Sequence, residues 1–177
     1  NARCEDVHVG FKNIYAKAMN EEYFIFGYEE SLGFGFGRNV SREKDAIIAS
    51  VMVLNMISHY NSIGYSLLDV YREIQETHSY TEEKMESILL EGSNGMDVMK
   101  EIILDLKRNP IESINEFRIS KSIDYNSDET GLEKENVLKF MYEDGSWFAV
   151  RPSGTEPKLK IYFYSYGKTK EDAEKTL

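Results

Sequence analysis

Arg151-Pro152-Ser153-Gly154-Thr155-Glu156-Pro157 places a cation, two hydroxyls and a glycine between two prolines. Each proline fixes its own φ and biases the residue before it away from helix, so the segment is stiff before anything binds. Arg151 supplies a planar fork that matches phosphate oxygens. Ser153 and Thr155 add hydroxyl donors, and Gly154 lets backbone amides approach a ligand closely. Lys158, just beyond, adds charge. This chemistry is that of a pre-shaped anion site, above all for phosphate. The same residue types are ordinary turn formers, so on the residues alone a plain turn stays open.

A second group lies upstream in Gly27-Tyr28-Glu29-Glu30-Ser31-Leu32-Gly33. Glu29 and Ser31 flank Glu30, and in an extended loop their side chains would share a side. A carboxylate and a hydroxyl aimed together can accept from and donate to neighbouring sugar hydroxyls. Taken alone, Glu29-Glu30 reads rather as a solvated turn. Gly33, Gly35 and Gly37 miss the Gly-x-Gly-x-x-Gly spacing of a dinucleotide loop. Lys12 is a further candidate ligand contact, or simply a surface lysine. Arg42 and Lys44 fall in the expected first turn of a helix capped by Ser41, where cations oppose the helix dipole. That placement suggests an ion pair with Asp45 or a domain contact.

The elements that position these groups follow from periodicity. Tyr23-Phe24-Ile25-Phe26 reads as a short buried strand whose carboxyl end carries the Glu29 loop, where open α/β sheets place ligands. Residues 46–57 are apolar almost all round and predict a deeply buried helix. Leu67, Leu68, Tyr71 and Ile74 form the stripe of another. Residues 77–95 weaken into Ser, Thr, Glu and Gly and read as an inter-domain link and hinge with some helix inside. Met99, Ile102, Ile103 and Leu106 mark a helix stopped at Asn109-Pro110. Strands follow at 117–125, 137–142 and 147–150, with Asp144-Gly145 as hairpin turn. Leu159, Ile161 and Phe163 alternate as a strand with one buried face. Thr169 and Asp172 open a last helix.

The expected architecture is therefore an α/β unit over 1–76, with a mixed sheet and helices. After the 77–95 link comes an α+β unit over 96–177 with an antiparallel sheet and helices. The anion loop becomes a connection between two strands.

Composition narrows the function classes. The chain has 177 residues and a formal net charge of −10, which argues against a broad nucleic-acid or membrane surface. It lacks an apolar run of about 18 residues, so no transmembrane helix is expected. A single cysteine, Cys4, suits a reducing, cytoplasmic compartment. Asp124, Asn126, Asp128, Thr130 and Glu135 match ligand positions of an EF-hand loop. Glu129, however, stands where that loop needs glycine, and an acidic surface loop is the better reading. His8, His59 and His78 show no metal-ligand spacing, and no metal site is expected.

The Arg151–Lys158 segment resembles the phosphate-binding loop of the last domain of the α-D-phosphohexomutase family, the phosphoglucomutases and phosphomannomutases. Glu29-Glu30-Ser31 between Gly27 and Gly33 resembles the sugar-binding loop of the third domain. Arg42-Glu43-Lys44-Asp45 is similar to the charged helix start that follows it, and Gly10-Phe11-Lys12 to another active-site segment. The resemblance covers nearly the whole chain.

It implies Glu29 and Ser31 as sugar contacts with Glu30 bracing their loop, and Arg151, Ser153, Gly154, Thr155 and Lys158 as the phosphate grip. Lys12 is implied as an additional contact. The implied reaction is interconversion of hexose 1-phosphate and 6-phosphate through a bisphosphate intermediate, with Mg2+ as cofactor and glucose 1,6-bisphosphate as activator. The family's phosphoserine segment, Thr-Ala-Ser-His-Asn-Pro, and its magnesium loop, Asp-Gly-Asp-x-Asp-Arg, do not occur in this sequence. The chain also begins without methionine, Asn1-Ala2 reads as a cloning remnant, and Leu177 falls as a helix is starting. The expectation is a C-terminal piece holding most of domain three and domain four, inactive without the N-terminal domains of the same chain. The Glu-Glu-Ser form points to glucose. A phosphomannomutase, a phosphopentomutase, a sugar-bisphosphate synthase and a non-catalytic sugar-phosphate module are the alternatives.

Overall fold

The computed structural model describes residues 2–127 and 129–176. They form two compact units, one ending at Arg72 and the other beginning at Glu73. The readings that touch Asn1, Asp128 and Leu177 (the cloning remnant, the fifth EF-hand position and the end of the last helix) lie outside the described residues.

The first unit is built on α1 (Phe11–Ala18), which buries Phe11, Ile14, Tyr15 and Ala18. Their i, i+3, i+4, i+7 spacing lines one helix face. Val7 and Phe24 complete this small core. Strands β1 (Phe26–Glu29) and β2 (Gly33–Phe36) pair antiparallel as a hairpin, with Phe26 opposite Phe36 and Glu29 opposite Gly33. A Cβ on Gly27 would stand 2.4 Å from Ile14, and one on Gly35 2.7 Å from the Tyr15 hydroxyl. The glycines therefore let the hairpin lie directly on α1.

Two expectations fail here. The strand is Phe26–Glu29 rather than Tyr23–Phe26, and Tyr23, Ile25 and Phe26 are exposed instead of buried. Helix α2 (Ala46–Ser62) forms where expected, yet no residue of it is buried. Its apolar residues run all round, whereas the strand packed on it is β2 alone among the described elements with appreciable contact. Most of its circumference consequently faces out. Helix α3 (Leu67–Thr77) follows, again without a buried residue. No single described helix is long and apolar enough to cross a membrane. Together α2 and α3 reach that length and composition, but they bend by 86° at their junction.

The second unit is a six-stranded antiparallel sheet with helices. Strand β3 (Tyr80–Leu89) is followed by α4 (Gly95–Arg108), β4 (Ser113–Ile114), β5 (Phe117–Asp124), β6 (Leu138–Tyr142), β7 (Trp147–Pro152), β8 (Lys158–Gly167) and α5 (Lys170–Thr176). The strand order is β3-β8-β7-β6-β5-β4. The stretch expected to be an inter-domain link is thus largely a strand. β3 pairs with β8 over its full length, from Tyr80↔Gly167 to Leu89↔Lys158. Its many Glu and Ser side chains suit an edge strand exposed along most of its length, and they hide the apolar alternation that marks the inner strands.

On one sheet face Leu138, Phe140, Tyr142, Phe148, Val150 and Leu159 are buried together with Met99 and Ile103 of α4. Burying Met99 and Ile103 contributes about 1.5–3 kcal/mol each. Phe140 and Phe148 stack at 4.7 Å between ring centres. Strand residues directly opposite one another share a face, so Arg151 and Lys160, and Ala149 and Tyr162, lie on the other side. Trp147 stacks there on Tyr164 at 5.7 Å, with the Lys139 ammonium 4.1 Å from its ring centre. Asp144-Gly145 forms the β6–β7 turn, Gly145 at φ 91°. The Asp172 amide donates to Thr169 Oγ1, capping α5.

Candidate functional site

The Arg151 segment connects β7 and β8 as expected. The Ser153 amide donates to the Lys158 carbonyl at 2.8 Å, closing the loop's neck. The Leu90 amide donates to the Pro157 carbonyl at 2.8 Å, which ties the far proline to the chain entering α4. Inside the loop the amides of Thr155 and Glu156 donate to Ser153 Oγ at 3.4 and 3.3 Å. Gly154, Thr155 and Glu156 are exposed at its tip.

Both cations carry an acidic companion. Arg151 Nε donates to Glu135 Oε1 at 3.1 Å, and Lys158 Nζ lies 3.2 Å from Glu156 Oε2. Burial works against the Arg151 charge. A hydrogen bond with Tyr162 and the proximity of Glu135 outweigh it and hold the guanidinium protonated beyond its ordinary range. The loop is compact and its two cations are each paired with a carboxylate.

The Glu29 loop differs from the extended form assumed from sequence. With Glu29 opposite Gly33, residues Glu30, Ser31 and Leu32 make a three-residue hairpin turn, and Leu32 takes φ 59° at its last position. Ser31 is exposed in the turn, while the Glu29 side chain is only 10% exposed. Glu29 Oε1 accepts from the Gly10 amide at 2.7 Å, and Oε2 lies 3.8 Å from Lys44 Nζ. The bracing carboxylate is therefore Glu29, not Glu30. A Cβ on Gly33 would meet Phe11 at 2.9 Å and Lys44 at 3.0 Å, so this corner admits only glycine without rearrangement.

Asp45, not Ser41, caps α2, accepting from the amides of Ile47 and Ile48 at 3.0 Å. Arg42 and Lys44 consequently precede the helix rather than lie in its first turn. The partner of Lys44 is Glu29 rather than Asp45. Lys12 is exposed on α1 and has no ion pair among the described residues. Gly10, Glu29, Gly33 and Lys44 are brought together within the first unit; Arg151, Ser153 and Lys158 within the second.

The EF-hand reading is dismissed on its partners. Asp124 pairs with Lys107 at 2.9 Å, and Glu135 with Arg151. Among the described residues no three His, Cys, Asp or Glu side chains converge to hold a metal ion. The described residues thus do not fit a magnesium site.

As partners of Arg151, Glu135 and Tyr162 escape the sequence reading. Tyr162 follows from the hairpin register, two positions past the residue opposite Arg151. Glu135, sixteen residues from Arg151, carries no local signal.

The family model of the phosphoglucomutase/phosphomannomutase alpha/beta/alpha domain III matches residues 1–77, and that of the phosphoglucomutase/phosphomannomutase C-terminal domain matches residues 105–175. The chain belongs to the phosphoglucomutase/phosphomannomutase family. It is 34% identical over 176 residues to a phosphoglucomutase of Staphylococcus epidermidis, covering 92% of this chain and 32% of that protein. For a phosphoglucomutase of Staphylococcus haemolyticus the identity is 33% over 173 residues, covering 89% and 31%. The chain thus spans about a third of the length of the curated relatives it matches. The open form of the exocytosis-sensitive phosphoprotein parafusin, a phosphoglucomutase from Paramecium, shares the fold. Its TM-score is 0.67 at 22% identity, covering 90% of this chain and 28% of that one. In this phosphohexomutase-family chain the Glu29 turn belongs to the domain III match and the Arg151 loop to the C-terminal domain match.

Proposed function

We propose that this chain is the sugar-gripping and phosphate-holding portion of a phosphoglucomutase-type enzyme. That enzyme would interconvert hexose 1-phosphate and 6-phosphate through a bisphosphate intermediate. The observation that carries the reading is the β7–β8 loop, where Arg151, Ser153, Gly154, Thr155 and Lys158 form one neck-tied connection. Arg151 takes the phosphate through its fork, Lys158 adds a point charge, and the amides and hydroxyl at the tip turn from Ser153 Oγ toward the anion.

Glu29 and Ser31 contact the sugar. The Gly10 amide fixes one Glu29 oxygen, and the other is the acceptor for a sugar hydroxyl. Lys12 supplies a further charge. Such holding aligns the reacting oxygen, which is catalysis by positioning. Magnesium, when bound in the enzyme, would stabilise charge on the transferring phosphoryl group; the residues described here do not supply its site. By itself the chain binds without turnover, because the phosphoserine and magnesium motifs are not among its 177 residues.

The test is a titration of glucose 1-phosphate and glucose 1,6-bisphosphate into isotope-labelled protein. Shifts concentrated at 151–158 and at Glu29–Ser31 are expected, and Arg151→Ala should abolish those of the loop. Turnover by the chain alone, or a loop that stays silent at millimolar ligand, would overturn the reading.

A further inference from the structure

Arg151 already has an anion. Glu135 Oε1 sits 3.1 Å from Arg151 Nε, with both side chains about 30% exposed. The placement is built by the backbone rather than left to a wandering side chain. The Tyr125 amide donates to the Val137 carbonyl at 3.0 Å and the Glu135 amide to the Tyr125 carbonyl at 3.2 Å. Leu138 is opposite Val150, so the chain just before β6 runs alongside Arg151 at the end of β7. Glu135 is therefore delivered to the guanidinium by the register of the sheet.

We propose that Glu135 is the resident counter-ion of Arg151 and weakens the phosphate grip on purpose, so that a bound phosphate shares the guanidinium with a fixed carboxylate. This rests on the reading of the β7–β8 loop as the phosphate site. The carboxylate engages Nε, so an incoming phosphate must approach through the terminal nitrogens, with a negative charge held behind its partner. Like charges on one guanidinium repel, and a half-buried pair is screened less than a surface one. Between ligands the carboxylate keeps the half-buried cation compensated and aimed. Glu156 stands in the same relation to Lys158, but at the exposed tip, where screening leaves it little effect. The consequence is a phosphate subsite tuned for release. That suits an enzyme whose doubly phosphorylated intermediate must let go of this loop in order to turn round.

Glu135→Gln separates charge from geometry, because the amide oxygen still accepts from Arg151 Nε. Inorganic phosphate and glucose 1-phosphate are titrated into wild type, Glu135→Gln, Glu133→Gln and Arg151→Ala, following the Arg151 side-chain Nε–H resonance. Glu135→Gln is expected to tighten phosphate about fivefold or more, with the resonance retained in the free protein. Glu133→Gln, which removes an equal charge from the same loop, is expected to stay within about twofold. Unchanged or weaker affinity in Glu135→Gln, with wild type binding at Arg151, would overturn the counter-ion role alone. Equal tightening in Glu133→Gln would also overturn it, by assigning the effect to net charge. Phosphate that leaves the Arg151 resonance unmoved in both wild type and Glu135→Gln would overturn the phosphate reading and this inference with it.

Discussion

Glu29 Oε1 accepts a 2.7 Å hydrogen bond from the amide of Gly10, which is the N-cap of α1. A capping-box glutamate reaches back from the third helical position to the same amide. Here the carboxylate arrives from a hairpin nineteen residues away. The sugar-loop candidate and the Gly10-Phe11-Lys12 segment are thereby one mechanical unit, and a negative charge sits at the positive end of a helix.

Glu29→Ala should therefore destabilise the first unit by about 1.5–3 kcal/mol, the range for a hydrogen bond to a charged group. Glu29→Gln retains an acceptor and should lose less than half of that. Urea unfolding of the three proteins checks it. Equal stability of wild type and Glu29→Ala would show that the carboxylate does not brace the turn.

Tyr15 presents the opposite situation. Its ring is 3% exposed, and its hydroxyl has no hydrogen-bond partner within the described structure. The ring itself is well used, lying edge-on to Phe24 at 5.5 Å. Tyr15→Phe keeps the packing and removes an unsatisfied polar atom, so it should stabilise the unit by about 1 kcal/mol. A variant less stable than wild type would reveal a role for the hydroxyl, and thermal unfolding decides between them.

Tyr142 makes the second unit sensitive to alkali. Burial in the core raises its phenol above the ordinary value of 10.0, and the nearby Asp144 carboxylate raises it further. Below pH 10 both folded and unfolded states keep the proton, and the burial contributes in full. As pH climbs past the unfolded value the unfolded chain ionises first, so stability falls until the raised folded value is passed. Unfolding free energies measured between neutral pH and pH 11 should decline in wild type. Tyr142→Phe should flatten that decline, and an identical slope in both would refute the assignment.

Legibility in the sequence follows the range of the forces. Alternation at Leu159, Ile161 and Phe163, and the Asp144-Gly145 turn, predict β6 to β8 and the position of the Arg151 loop. Both signals lie within a few residues of the structure they specify. β3 is read as a link because its outward Glu and Ser residues mask the pattern, and its pairing with β8 is visible only across some eighty residues. The helix expected over residues 46–57 forms but is not buried, since burial depends on neighbours that composition does not name. The residue types of the site are legible as chemistry. Their partners are not, because Gly10 with Glu29 and Glu135 with Arg151 meet only through the folded register.

Two glycines, one beside the β7–β8 loop and one within it, separate packing from the ligand approach proposed for that loop. A Cβ on Gly95, the first residue of α4, would lie 2.1 Å from the Leu90 carbonyl oxygen and 2.8 Å from Pro157 Cβ. The oxygen is backbone and cannot swing aside, so Gly95→Ala should cost about 3 kcal/mol and shift the loop's anchor. A Cβ on Gly154 meets nothing within 4 Å. Neither packing nor the loop's conformation asks for glycine there. Gly154→Ala should accordingly leave the free protein as stable as wild type, or about 0.4–1 kcal/mol more so through the unfolded chain. On the proposed phosphate reading its methyl would instead stand where the anion meets the tip amides, weakening phosphate binding about tenfold. Unfolding and phosphate titration of both variants give the comparison. Phosphate affinity in Gly154→Ala equal to wild type would mean the tip does not approach the ligand, and would confine the grip to Arg151 and Lys158 at the neck.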